Sequence, residues 1–196
     1  MNHEDATRLF YAHIWPHRAM ILRTAQFLTR HHAQADDLAQ ETLVKAFKSI
    51  SSFEPTSNAK GWVSAILRNT WIDHLRATGR QPPPLSVEQQ DVEVQDHRAA
   101  SIEPDVGDLA ALLERFSDAD IIKALRMLPE EIRWTLLLVD VETLDHAQAA
   151  AILQIPEGTV KSRAYRGRRM LRTSLLSGNT PGDPAGPNSS SLEGAP

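Results

Sequence analysis

The stretch from Asp145 to Leu175 constrains the fold of this 196-residue chain more than any other. Small and apolar residues recur at helical spacing after Asp145, whose carboxylate suits the N-cap of a helix. Proline cannot continue a preceding helix but suits the start of one, so Pro156 separates two helices. The pattern therefore predicts a helix-turn-helix, and the small residues of its first helix allow the second to approach closely.

The second helix of this unit is strongly basic. An apolar stripe falls at i, i+4, i+7 and i+11, on Val160, Ala164, Gly167 and Leu171. The basic residues are Lys161, Arg163, Arg166, Arg168, Arg169 and Arg172, and Glu157 is the only acid among them. Positive charge beside a buried stripe is typical of a helix that enters the major groove of DNA. The alternative is a solvated basic face on an ordinary helical hairpin.

The net charge of −4 argues at first against a nucleic-acid partner, but the charge is segregated along the chain. The stretch 88–108 is acidic, with Arg98 as its one arginine or lysine. Its acidic residues are Glu88, Asp91, Glu93, Asp96, Glu103, Asp105 and Asp108. Local charge governs binding, so the basic helix keeps its significance. The chain has no cysteine, which excludes disulfides, thiolate metal sites and a cysteine nucleophile. No apolar run approaches the ~20 residues of a membrane span, so we expect a cytoplasmic protein without membrane insertion.

Apolar periodicity predicts an all-α chain, because strands would require alternation that is absent. The expected helices cover residues 3–28 with a kink at Pro16, about 35–50, about 59–78, 108–116, 119–127, 129–140 and the helix-turn-helix. In the helix that is expected to begin near Ala35, Asp36 and Asp37 would lie in the first turn and complement the helix dipole.

Two domains are expected, because residues 79–107 are acidic, contain three consecutive prolines and show no periodicity. A connection this long is unusual inside one compact domain. We therefore predict a first domain over residues 1–78, a flexible linker over 79–107 and a second domain over 108–176. The tail, 177–196, is rich in Gly, Pro and Ser and is expected to be disordered.

Four motifs in this order resemble the extracytoplasmic-function (ECF) sigma factors, the smallest members of the sigma-70 family. They are DDLAQETLVKAF from Asp36, GWVSAILRNTWIDHLR from Gly61, LPEE from Leu128 and GTVKSR from Gly158. The resemblance covers about residues 5–176. It implies that the first domain is a sigma-2 region, the second is a sigma-4 region, and the chain is a promoter-specificity subunit with no catalysis and no cofactor of its own.

One polar-edged helix face carries Asp37, Gln40, Glu41 and Val44, at i, i+3, i+4 and i+7. From the residues alone, this face is a solvated helix surface. The resemblance implies that it docks on the clamp coiled coil of the largest subunit of RNA polymerase. The same resemblance implies contact of the protein with the polymerase flap and with an anti-sigma factor.

The helix from about Ala59 to Thr78 carries Arg68 and Asn69, which suit a phosphate and a base edge respectively. For Asn69 the alternative is a surface or packing amide, and Trp62 and Trp71 are both expected in the core. The resemblance implies that this helix and the loop 51–60 hold an unwound −10 promoter element. It adds Lys60, Arg76 and Arg80 as phosphate contacts, each of which could instead be merely solvated.

Contacts with the −35 promoter element are assigned by the resemblance to the basic helix. Lys161, Ser162, Tyr165 and Arg166 would meet base edges and the adjacent backbone, and Thr159, Arg163 and Arg168 would hold phosphates. Arginine bidentate to guanine is the commonest specific contact, so Arg166 is the first choice. The sequence departs from the family at Thr143, which stands where a glycine is usual.

Two other classes of protein remain open from the sequence. One is a helix-turn-helix regulator whose N-terminal helices sense a signal or dimerise, but it leaves DLAQET and the acidic linker unexplained. The other is a helical enzyme with ligands drawn from His17, His31, His32, His74 and Glu41. None of these shows a metal-binding spacing such as HExxH, so no metal site is expected.

Overall fold

The computed structural model describes residues 2–29, 31–79 and 117–177, and within them every regular element is helical. The α-helices are α1 His3–His13, α2 Arg18–Leu28, α3 His32–Lys48, α4 Ala59–Ala77, α5 Asp118–Met127, α6 Glu130–Leu136, α7 His146–Leu153 and α8 Glu157–Leu176. A π-helical segment, Leu137–Val141, extends α6. The all-α prediction is confirmed, whereas the predicted linker beyond Gly79, the helix 108–116 and most of the tail lie outside the described residues.

The first helical unit is formed by α1 to α4. Pro16 lies in a 3₁₀ turn, Trp15–His17, which separates α1 from α2 and confirms the expected kink. The core beneath these helices includes the fully buried Ile14, Ile21, Leu38 and Val63. These side chains come from four different segments, so their burial holds α2, α3 and α4 together.

Two expectations about this unit are wrong. Helix α3 begins at His32 rather than near Ala35, so its first turn contains no acidic residue and Asp36 and Asp37 do not complement the dipole there. Its first residues are exposed and include no large apolar side chain, and hydrophobic periodicity cannot detect such a turn. The core contains Trp71, but Trp62 is only half-buried and packs its ring against Phe53 at a centroid distance of 5.2 Å.

The helix-turn-helix prediction is confirmed in detail. Asp145 caps α7, accepting a hydrogen bond from the Gln148 backbone N–H at 2.7 Å. The Gln148 side chain in turn accepts from the Asp145 backbone N–H, which completes a capping box. Helix α7 ends at Leu153, its C-cap Gln154 adopts the left-handed conformation, and α8 begins directly after Pro156. The four residues of the predicted apolar stripe of α8 are all buried, which fixes the opposite face of α8 toward solvent.

The two helical units pack directly against each other. Helix α4 contacts α7, and α2 contacts α5. Their apolar side chains join one continuous buried cluster that runs from Phe10 to Leu175. The sequence indicates two units but no contact between them, so this packing is a result of the tertiary structure alone.

Replacing Thr143 with glycine is expected to stabilise the protein. Its φ of +52° lies in the left-handed region, which costs a residue with a branched Cβ about 1–2 kcal/mol. The side chain is exposed, so glycine loses no packing. After the entropy cost of glycine, we expect the free energy of unfolding in urea to rise by about 1 kcal/mol. In a helical control, Thr173→Gly in α8 should lower it by about 0.3 kcal/mol, and a loss at both positions would contradict the strain argument.

Candidate nucleic-acid interface

The exposed face of α8 carries the side chains that were predicted to meet base edges. Lys161, Ser162, Tyr165 and Arg166 are all exposed, opposite the buried stripe. Lys161 Nζ pairs with the Glu157 carboxylate at 2.8 Å, within the first turns of the helix. These four residues occupy the N-terminal half of α8, which is the part of a recognition helix that reaches base edges in a helix-turn-helix.

The residues of α8 that are predicted to contact phosphates differ in their exposure and in their partners. Thr159 and Arg163 are half-buried. Arg168 binds Asp140 Oδ1 through both Nη2, at 2.7 Å, and Nε, at 3.1 Å. This ion pair ties α8 to the π-helical segment, so a phosphate contact by Arg168 would compete with Asp140. The role of Arg168 in DNA binding stays a prediction.

Of the residues of α4 that are predicted to contact the −10 element, some are exposed to solvent and others face the second helical unit. Asn69 and Arg76 are exposed, and Arg76 lies 3.8 Å from Asp73. Arg68 is only 8% exposed and donates from Nη2 to the Leu153 carbonyl of α7 at 3.4 Å. Burial lowers the pKa of the Arg68 guanidinium, although Glu130 opposes this effect. Arg80 lies outside the described residues.

Lys60, at the start of α4, also faces the second unit. Its Nζ donates to the backbone carbonyl of Glu142 and lies 3.2 Å from Glu142 Oε2. The Arg23 guanidinium and the Thr24 hydroxyl both contact Glu142 Oε1 at 3.3 Å. Sequence reasoning missed Glu142, because no local pattern pairs a glutamate with cations more than eighty residues away.

A second polar contact between the units joins Trp71 to Glu130. The Trp71 indole N–H donates to Glu130 Oε1 at 2.6 Å. Burial raises the pKa of the Glu130 carboxyl, and the hydrogen bond from Trp71 and the charge of Arg133 partly offset this rise. Glu130 therefore retains a proton more readily in the folded chain than in the unfolded chain.

Glu130→Gln is expected to stabilise the protein at neutral pH. Because the folded pKa is raised, Glu130 lowers the free energy of unfolding as pH rises through that pKa, and the penalty is absent below the unfolded value of about 4.5. Glutamine avoids the charge and still accepts from Trp71. We expect Gln to unfold at higher urea than wild type at pH 7, with the difference shrinking toward pH 4. Trp71→Phe removes the hydrogen bond that lowers the pKa of Glu130, so it should enlarge the pH dependence of the free energy of unfolding. A Gln variant that is less stable than wild type at pH 7 would refute the raised pKa of Glu130.

The third candidate surface is the outward face of α3. Asp37, Gln40 and Val44 are exposed, and Val44 is an apolar residue with half of its surface in solvent. Glu41 is held in place by Nε2 of His74 on α4, at 2.5 Å, and by Nζ of Lys45, at 3.0 Å. The hydrogen bond from His74 is the main reason that the pKa of the Glu41 carboxyl is lowered. An apolar side chain among fixed charges suits a protein partner.

The described residues contain no cluster of three or more histidine or acidic side chains that could hold a metal ion. No described helix is long and apolar enough to cross a membrane.

Comparison with known proteins identifies both units. The family model described as Sigma-70 region 2 matches residues 14–81, and the one described as Sigma-70, region 4, matches residues 118–171. The chain is 35% identical over 148 residues to the RNA polymerase sigma-H factor of Pseudomonas aeruginosa, covering 74% of this chain and 75% of that protein. It is 32% identical over 158 residues to the ECF RNA polymerase sigma-E factor of Haemophilus influenzae, covering 78% and 82%.

Solved structures show the same fold. The sigma factor RpoE of Bartonella quintana, in complex with the anti-sigma factor NepR, is 31% identical with a TM-score of 0.64 over 87% of this chain and 98% of that chain. CnrH, in complex with the cytosolic domain of CnrY, is 21% identical with a TM-score of 0.58 over 91% and 92%, and supports the fold alone.

The helix-turn-helix and its exposed basic helix define the class as a helical DNA-binding protein. The two family matches and the relatives specify it further. The chain belongs to the ECF group of the sigma-70 family and is an RNA polymerase sigma factor of this type.

Proposed function

We propose that this sigma factor directs core RNA polymerase to promoters by reading a −35 element with α8 and a −10 element with α4 and the loop before it. The observation that carries the proposal is the face of α8, where Lys161, Ser162, Tyr165 and Arg166 lie exposed opposite a fully buried stripe. Such a helix presents donors and acceptors to the major groove while its other side anchors the domain.

Core polymerase binds the face of α3 formed by Asp37, Gln40, Glu41 and Val44. Contact with the clamp coiled coil is supported by the resemblance of DLAQET to the family motif and by the exposed Val44 beside fixed charges. The sigma-4 region contacts the polymerase flap. An anti-sigma factor regulates the protein, as the complex of the Bartonella relative with NepR supports. The protein acts in the cytoplasm and has no catalysis of its own.

The −10 element is held as single-stranded DNA. Asn69 is exposed on α4 and offers an amide to a base edge, and Arg76 offers a charge to the backbone. Arg80, which follows α4 in the sequence, is a further proposed contact with the DNA backbone. Binding to unpaired bases offsets the cost of unpairing them, a few kcal/mol per base, so melting requires no ATP.

Run-off transcription with purified core polymerase tests the proposal. On promoters with a −35 element of the GGAAC type, initiation should depend on the added protein. Arg166→Ala should weaken promoter-dependent initiation about tenfold, because a bidentate contact to guanine contributes about 1–3 kcal/mol of discrimination.

A matched control is Arg169→Ala, which removes the same charge from an exposed position one turn further along α8. It should reduce initiation much less. DNA binding by the protein without any association with core polymerase would overturn the proposal and favour a helix-turn-helix regulator. Equal losses for both variants would mean that charge alone, and not a base contact at Arg166, is responsible.

A further inference from the structure

The buried carboxylate of Glu142 marks a site on the sigma-2 region where Lys60, a predicted −10 contact, is joined by two residues that the promoter contacts above do not include. Glu142 belongs to the sigma-4 region, directly after the π-helical segment, and is 1% exposed. Its carboxylate enters a basic site that we define by Arg23 and Thr24 of α2 and Lys60 of α4, here called the α2–α4 site. All three donors therefore lie on one unit and the acceptor lies on the other.

The α2–α4 site offers more positive charge than one carboxylate neutralises. Arg23 and Lys60 carry two positive charges against the single charge of Glu142, and Lys60 lies in the first turn of α4, where the helix dipole adds to them. Glu142 Oε2 also lacks a hydrogen bond of good geometry, although Lys60 Nζ lies 3.2 Å away. The fit between the Glu142 carboxylate and these donors is therefore incomplete.

A DNA phosphate suits this set of donors. Its free oxygens accept several hydrogen bonds at once, and arginine, lysine and threonine side chains are common donors to it. The Arg23 side chain remains 52% exposed even with Glu142 in place, so an extended backbone can reach the site from solvent. Lys60 lies in the first turn of the helix that is proposed to hold the −10 strand.

We propose that Arg23, Thr24 and Lys60 bind a backbone phosphate of promoter DNA, and that Glu142 occupies the same site while the two units are packed together. The proposal rests on the proposed function, since it adds Arg23 and Thr24 to the −10 interface. It follows that carboxylate and phosphate exclude each other. Promoter binding then requires separation of the units, which also breaks the bond from Arg126 to the Gln26 carbonyl.

The test measures DNA affinity in complex with core polymerase. The probe is a fluorescent fork-junction promoter, chosen by the wild-type holoenzyme from a randomised library. Glu142→Gln weakens the intramolecular competitor and should tighten probe binding severalfold. In this background, Arg23→Ala should weaken binding about fivefold and reduce the slope of log affinity against log salt by about one, as for the loss of one phosphate contact.

The matched control is Arg18→Ala in the Glu142→Gln background. Arg18 is exposed on the same helix but lies over the Trp15 ring, away from the α2–α4 site, so affinity and salt slope should not change. If Glu142→Gln does not fold, Arg126→Met provides a second background that loosens the packing of the units and leaves the site intact. If Arg23→Ala changes neither the DNA affinity nor its salt slope in the Glu142→Gln or the Arg126→Met background, the phosphate site is overturned.

Run-off transcription by the wild-type protein separates the two proposals. If the wild type supports promoter-dependent initiation but Arg23→Ala leaves DNA affinity unchanged, only the α2–α4 site is refuted. If the wild type supports no initiation, the proposed function itself fails.

Discussion

Replacing Gly167 with alanine should destabilise the sigma-4 region by about 2 kcal/mol, and valine should cost more. A Cβ at this position would lie 2.7 Å from Cγ2 of Ile132 and 2.9 Å from Cγ of Leu136, distances that side chains in a packed core do not tolerate. Helix α8 would have to move away from α6, which loses the packing of the helix along its whole buried stripe. Overpacking of this kind costs typically 1–3 kcal/mol for a small insertion.

The measurement is the free energy of unfolding in urea together with run-off transcription. Gly167→Val should lower both, and transcription should be lost because α8 is no longer presented. Gly158 is a matched control on the same helix, where a Cβ meets no atom within 4 Å. Gly158→Ala should be neutral or stabilising, because glycine within a helix costs about 1 kcal/mol relative to alanine. Equal effects at both glycines would refute the close-approach argument.

Reversing the charge of Asp37 should abolish most of the affinity for core polymerase while leaving the fold intact. Asp37 is exposed on α3, beside the pair of Glu41 and His74. On the proposed function, Asp37→Arg places like charge against the partner and leaves the partner's own cation unpaired. Loss of a hydrogen-bonded charge pair at an interface costs about 2 kcal/mol or more, which is ~30-fold in dissociation constant.

Asp36 provides the control, because it is an exposed carboxylate one residue earlier and about 100° around the helix. Asp36→Arg changes the net charge by the same amount and should leave the affinity nearly unchanged. Fluorescence titration of labelled protein with core polymerase measures both variants. Similar losses for the two would show that the effect is long-range electrostatics, and no loss for Asp37→Arg would remove α3 from the proposed interface.

The helix-turn-helix was predictable because its information is local. The N-cap of α7 depends on Asp145 and Gln148, three residues apart, and the stripe of α8 depends on spacing along a single helix. Capping and periodicity involve neighbours in sequence, so they can be deduced without knowledge of the rest of the chain. The start of α3 was misplaced for the same reason, since its exposed polar turn has no such local signal.

The turn at Thr143, before the helix-turn-helix, was only partly predictable from the sequence, because the family usually has a glycine there. The sequence shows Thr143 at this position, and only the structure shows that the backbone keeps a φ of +52° despite the branched side chain. The surrounding contacts, such as the bond from the Leu144 N–H to the Leu138 carbonyl, hold the turn in this conformation. The conformation is therefore imposed by the hydrogen bonds that end the π-helical segment and not by the preference of the residue itself.

The sequence by itself determined the all-α class, the helix-turn-helix and the exposed faces of α3 and α8, because each depends on residues within a few turns of one another. Only the tertiary structure decided that Arg68 and Lys60 face the sigma-4 region and that Glu142 fills the α2–α4 site. Those contacts join residues more than eighty positions apart, and the cost of burying these charged side chains is offset only because their partners lie on the other unit. No pattern along the chain records such a pairing, since it arises only when the two units pack.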